Sequence, residues 1–228
     1  MRRLAVGLLL VGLVISGCAA QNVRTATPKL VSDVDIERAL LDKDQINAVM
    51  GTSSMVAQPM TTAPGDNRNL VSNLNCLGVW QAGESAIYGP AGAEGGWSVM
   101  RQQKLRTPDT DDWDSLAVQS VVAYPTPDAA RAFLEESAVR WSQCTNHTIN
   151  ITLNDRPLPK WLSGELTRTE TRLAMPFARG VGRETKQCQH VLDAAANVIL
   201  DVVTCKPRNE GASEAGELAD AMRSNLAG

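Results

Sequence analysis

Several signatures of chemistry are missing from this 228-residue chain. No two cysteines are spaced Cys-x-x-Cys, which argues against a zinc or thiol-redox centre. Neither Gly-x-Ser-x-Gly nor Ser-x-x-Lys occurs, so no recognisable nucleophile motif is present. Histidine is limited to His147 and His190. Lys and Arg number 22 against 25 Asp and Glu, without a basic stripe, so nucleic acid is not an expected partner. Aromatics are scarce at 4%, yet the five Trp outnumber Phe and Tyr together. No internal repeat is visible, and the Leu4–Ile15 run falls short of the ~20 residues of a spanning helix.

That run belongs to a leader. Arg2 and Arg3 give a positive start, Leu4–Ile15 an apolar core, and Ile15-Ser16-Gly17-Cys18 a small-residue ending. The ending resembles the lipobox of bacterial lipoproteins, which implies cleavage before Cys18 and diacylglycerylation of its thiol. Two or three acyl chains anchor a protein durably without a transmembrane helix. Residues 1–17 are therefore expected to be a signal peptide and 18–37 a lipidated, polar tether. Residues 38–228 are expected to form one domain at the cell membrane, lipid-anchored on its extracytoplasmic face.

Four cysteines remain: Cys76, Cys144, Cys188 and Cys205. In an exported chain an even set predicts two disulfides, and three connectivities exist. The segments 187–193 and 198–205 are both strand-like. A two-residue turn at Ala196-Asn197 sets Cys188 opposite Cys205, and Asn tolerates the left-handed backbone of such turns. This pairs Cys188 with Cys205 and Cys76 with Cys144, each bond stabilising by about 2–4 kcal/mol.

Along the chain, Asp42 or Asp44 caps a short helix carrying Ile46, Val49 and Met50, which Gly51 stops. A Thr-, Pro-, Ser- and Gly-rich loop covers 52–72. Residues 74–80 and 86–88 read as strands, as do Trp97–Leu105 and Leu116–Tyr124. Thr126, Pro127 and Asp128 open the strongest helix, with Ala130, Phe133, Leu134, Ala138, Trp141 and then Cys144 on one face. Residues 148–153 and 166–173 read as strands around a loop containing Pro157 and Pro159. A final helix runs over 213–226, burying Ala215, Leu218, Ala219, Met222 and Leu226. Strands grouped between helices predict an α+β fold with a largely antiparallel sheet.

The Trp141-x-x-Cys144 element, and Cys188 followed by the Asn197-Val-Ile-Leu-Asp201-Val segment and Cys205, resemble the extracellular sensor domain of the mycobacterial receptor serine/threonine kinase PknH. The resemblance covers about residues 38–228. It implies an antiparallel sheet flanked by helices, the same two disulfides and a large cleft thought to bind a ligand. No kinase segment is visible, so signalling through a fused catalytic domain is not implied.

Ordinary structural roles compete with each candidate site. A hydrolase needs a Ser or Asp within hydrogen-bond reach of His147 or His190 beside a pocket. Asp109, Asp111, Asp112 and Asp114 bring carboxylates together, but Asp114 and Ser120 stand where a calcium loop of the EF-hand type needs Gly and Glu. A solvated acidic loop is the expectation. Residues 156–186 carry seven basic side chains, and Arg168, Glu170 and Arg172 share one face of the expected strand, which suits an anionic lipid head or a glycan acid. Trp141 reads as core, whereas Trp113 and Trp161 lie in polar loops and are candidates for a ligand or membrane contact. Two glycosylation sequons, at Asn146 and Asn150, are discounted in a bacterial lipoprotein.

The expected protein is a monomeric envelope lipoprotein without catalytic residues, metal or cofactor. Its sensor-like domain holds a small amphipathic or glycolipid-like ligand through Trp113, Trp161, Arg168 and Arg172. The alternative is a protein-interaction scaffold, with an exposed apolar patch in place of a pocket.

Overall fold

The computed structural model describes residues 30–180, 185–207 and 213–227. Cys18, the leader, most of the expected tether and Arg183 lie outside them. A 3-10 turn at Ile36–Ala39 is followed by α1 (Lys43–Met50), β1 (Val56–Ala57), α2 (Leu74–Trp80) and α3 (Ser85–Tyr88). Next come β2 (Val99–Thr107), β3 (Ser115–Ala123) and α4 (Pro127–Ser142). Short strands β4 (Thr148–Ile149), β5 (Thr152–Leu153), β6 (Arg156–Pro157), β7 (Trp161–Ser163) and β8 (Thr167–Arg168) precede β9 (Arg172–Arg179). The chain closes with β10 (Lys186–Ala195), β11 (Val198–Pro207) and α5 (Glu214–Ala227). The fold is α+β.

Among the described residues nine strands make one antiparallel sheet in the order β1-β2-β3-β11-β10-β9-β7-β4, with β8 beside β9. β5 and β6 form a separate hairpin. Both faces of the central strands are buried, and alternation assigns each residue to one face. Leu116, Val118 and Val122 of β3 and Ile199, Val203 and Cys205 of β11 face α2, α3 and α4. Ala117, Val121 and Ala123 of β3 and Val198, Leu200 and Val202 of β11 face α1, α5 and the 3-10 turn. The sheet is thus the middle of three layers.

Helix signals behave as the chain chemistry requires. Asp42 accepts from the Gln45 N–H at 2.8 Å and its own N–H donates to the Gln45 side chain at 2.9 Å, closing a capping box. Gly51 ends α1 at φ 67°. Thr126 caps α4 through the Ala129 N–H, and Trp141 and Cys144 point inward.

Four expectations need correction. Residues 74–80 and 86–88 are helices α2 and α3, not strands. Cys76, Leu77, Gly78 and Val79 are all buried, so α2 is apolar around most of its girth and shows no amphipathic period. A short apolar run of this kind does not separate buried helix from strand by pattern alone.

The 166–173 segment is also not one strand. Thr169 N–H donates to Arg172 O at 2.8 Å, the chain reverses, and Arg168 ends opposite Leu173. The 148–153 segment divides into β4 and β5, and β7 was missed. Finally, the ordered domain starts before residue 38. Ile36 is fully buried, and the Asn197 side chain bonds both the N–H (2.8 Å) and C=O (3.1 Å) of Val31. The expected tether is therefore shorter at its domain end.

The disulfides join Cys76 to Cys144 and Cys188 to Cys205. In β10–β11, Cys188 is opposite Cys205, as the turn at 196–197 requires. Ala196, not Asn197, takes the positive φ of 52° there. Asn197 serves through its side chain, which also donates to Tyr124 O at 2.9 Å.

Candidate functional site

On the α2–α4 side of the sheet the helices leave one end of the strands uncovered. A cavity of about 190 Å³ opens there. Its floor is Leu116 and Val118 of β3, Phe177 of β9, and Val203 and Cys205 of β11. Trp80, the last residue of α2, and Ala82, just past it, form one wall. Ile151, Leu158 and Pro159, on either side of the β5–β6 hairpin, form another. That hairpin turns through Asn154 and Asp155, both at positive φ (50° and 61°), a conformation these side chains tolerate.

Trp113 and Trp161 complete the wall. Trp161 is not in a loop, as its polar neighbours suggested: it is buried in β7, 5.3 Å from the Phe177 ring and opposite Arg179 in register. The Arg179 guanidinium lies 5.2 Å from the Trp161 ring centre and 5.8 Å from that of Trp113. Lys186 Nζ lies 5.5 Å from the Trp113 ring centre and pairs with Asp114 at 2.9 Å. Three indoles and one guanidinium therefore surround an apolar hollow.

Arg168 and Arg172 stand elsewhere. Arg168 pairs with Glu135 of α4. Arg172 bridges Asp193 at 3.0 Å and Asp220 at 2.5 Å. Burial lowers its pKa, but the bonds to Asp193 and Asp220 outweigh that and hold it above the usual guanidinium value. Neither lines the cavity. Among the acidic-loop residues, Asp109 and Asp111 bind Arg106 and Asp114 binds Lys186, so three of the four carboxylates are taken up in ion pairs.

Beneath the cavity side, Asp201 is 1% exposed. Its Oδ1 is 2.6 Å from His190 Nε2, and its Oδ2 accepts from Tyr88 Oη–H at 2.8 Å and Gly83 N–H at 2.9 Å. His190 Nδ1 is 3.0 Å from Val79 O, an acceptor only, so this nitrogen carries a proton. Burial, and then the Asp201 charge, push the Tyr88 hydroxyl well above its usual pKa. Both ring nitrogens of His190 are engaged by the protein, which leaves neither open to a substrate proton. His147 is exposed beside a hollow of about 20 Å³, too small for a substrate.

Trp113 and Trp161, the two tryptophans expected to make contacts from polar loops, both line this cavity, whereas Trp80, Ile151, Leu158 and Phe177 were not singled out. Arg179 was one cation in a basic run. Its partners follow only from the β7–β9–β10 register, which the disulfide fixes for β10–β11 alone.

The profile of the family described as "PknH-like extracellular domain" matches residues 31–225. The serine/threonine-protein kinase PknH of Mycobacterium tuberculosis strain H37Rv is 29% identical over 192 residues, 84% of this chain and 29% of the kinase. Its Mycobacterium bovis counterpart is 29% identical over 178 residues, 78% of this chain and 29% of the kinase. The chain thus spans less than a third of the length of these relatives. The crystal structure of the extracellular domain of PknH from M. tuberculosis superposes with a TM-score of 0.77 at 26% identity, covering 87% of this chain and 98% of that one.

Proposed function

The chain belongs to the PknH-like extracellular domain family, and from that premise we propose that it is an envelope lipoprotein whose non-catalytic sensor domain binds a small amphipathic ligand. The observation that carries this is the indole-walled cavity. Its lining is mostly apolar, with Gln81 and Arg179 as the polar side chains, the composition of a ligand pocket. At about 190 Å³ it is smaller than the ~300–1,000 Å³ of drug-sized sites and larger than the ~150 Å³ cavity that accepts benzene. A ring or the end of an alkyl chain fits, and the rest of the ligand stays outside. A glycolipid would be held by one end only.

Acylation of Cys18 is part of the same proposal and would keep the domain within reach of envelope lipids. Among the described residues no helix is long and apolar enough to cross a membrane.

The test is a titration of the mature domain with N-phenyl-1-naphthylamine, a neutral apolar fluorophore, followed by displacement with eight-carbon amphiphiles. Saturable binding lost in Trp161→Ala is expected. No saturable binding, together with no lipid co-purifying in native mass spectrometry, would overturn the reading.

A further inference from the structure

Arg179 and Lys186 are register partners on β9 and β10, and both side chains lie on the cavity face. Like charges directly opposite one another across two strands are destabilising. Here the protein answers one of them. Lys186, 7% exposed, has the Asp114 carboxylate. Arg179 has only the faces of Trp113 and Trp161, and no acidic partner among the described residues.

A guanidinium lying over two indoles is fixed in place with its charge uncancelled. Its N–H donors radiate in its own plane and stay free to bind, in a fork that matches carboxylate and phosphate oxygens. It lines the same cavity as the apolar floor of Phe177, Val203 and Leu116. We propose that the ligand is an anionic amphiphile, its carboxylate or phosphate on Arg179 and its apolar end against the β-sheet floor. This rests on the cavity being the ligand site and goes further by fixing the charge of the head.

The experiment compares octanoate, octyl phosphate, octanol and octyltrimethylammonium as displacers of the same neutral fluorophore. Octanoate and octyl phosphate should bind at least about tenfold more tightly than octanol, the size of one charge-assisted hydrogen bond. The cation should be weakest. Added salt should weaken the two anions and leave octanol unchanged. In Arg179→Met the preference of the anions over octanol should vanish. Arg179→Lys should keep part of it, because the charge remains and the fork is lost. Asp114→Asn, which frees Lys186, should sharpen it.

Octyl phosphate presented in phosphatidylglycerol vesicles, against the free monomer, separates capture from a membrane from capture out of solution. Equal affinity for octanol and octanoate, or an anion preference that survives in Arg179→Met, overturns the charge assignment and leaves the cavity reading standing. Failure of all four amphiphiles to displace the probe overturns both. The salt dependence uses only the native protein, so misfolding of a variant cannot hide the answer.

Discussion

The two faces of the sheet solve the same problem differently. The β10–β11 hairpin buries one aspartate on each: Asp193 towards α5 and Asp201 towards α2 and α3. Asp193 receives two bonds from Arg223 (2.8 and 2.5 Å) and one from Arg172 (3.0 Å), so two cations share one carboxylate. Asp201 has one imidazole, one hydroxyl and one backbone N–H. On the α5 face, Ala215, Leu218, Ala219 and Met222 pack fully buried against the sheet. The other face is interrupted by the cavity, and both disulfides lie in its core. Cys205 is at once a cavity floor residue and half of a disulfide. One covalent bond thus borders the gap where van der Waals contact is lost, and a cavity costs stability in proportion to its volume.

Removing the bonds should break this contrast most strongly. In the chain-entropy account a longer loop restrains the unfolded state more. Cys76 and Cys144 are 68 residues apart, Cys188 and Cys205 only 17. The double Ser variant of the first pair should lose about 4 kcal/mol and that of the second about 3 kcal/mol. Urea unfolding of the oxidised proteins measures both. The reverse order would show that the hairpin bond carries native-state packing as well as loop entropy.

The two aspartates sharpen the comparison. His190→Ala leaves a buried carboxylate with only Tyr88 and Gly83, at a cost of about 3 kcal/mol. Arg223→Ala should cost about half of that, because Arg172 still bonds Asp193 and the Arg223 side chain is 38% exposed. Removing Arg172 as well should bring the two faces level. If Arg223→Ala alone matched His190→Ala in urea midpoint, the second guanidinium would not be the reserve that the geometry makes it.

Much of the scaffold was legible in the chain, and the reasons are local. Asp42, Gly51 and Thr126 act on groups within four residues, and Cys188 and Cys205 are separated by one turn. The alternation of Leu116–Tyr124 survived, since β3 is a long strand with a face on each core. The errors came where non-local burial overrides pattern. α2 is buried on most sides, and Trp161 is drawn into the sheet edge although its neighbours are polar. Trp113 and Trp161 were singled out by residue type and by polar neighbours in the sequence. That Arg179, not Arg168 or Arg172, joins them depends on strand register, which alternates faces with every residue.

Glu84 gives the smallest effect and tests whether the cavity face tolerates acids that no cation neutralises. It is buried just before α3, with the N–H (2.8 Å) and side-chain amide (2.6 Å) of Asn67 on its two oxygens. Burial raises its pKa above the usual 4.5, and the bonds from Asn67 offset only part of that. The folded state therefore holds this proton more tightly than the unfolded one. The resulting stabilisation is fully present below pH 4.5 and is lost as pH rises through the folded value. Glu84→Gln sacrifices one bond from Asn67, about 1 kcal/mol at any pH, but removes the titration. Asp66, whose pKa the bond from Arg68 lowers, is common to both proteins and cancels. Native protein should lose stability relative to the variant as pH climbs from 4.5, and parallel stability–pH curves for the two would show that the Glu84 carboxyl is as well solvated in the fold as in the unfolded chain.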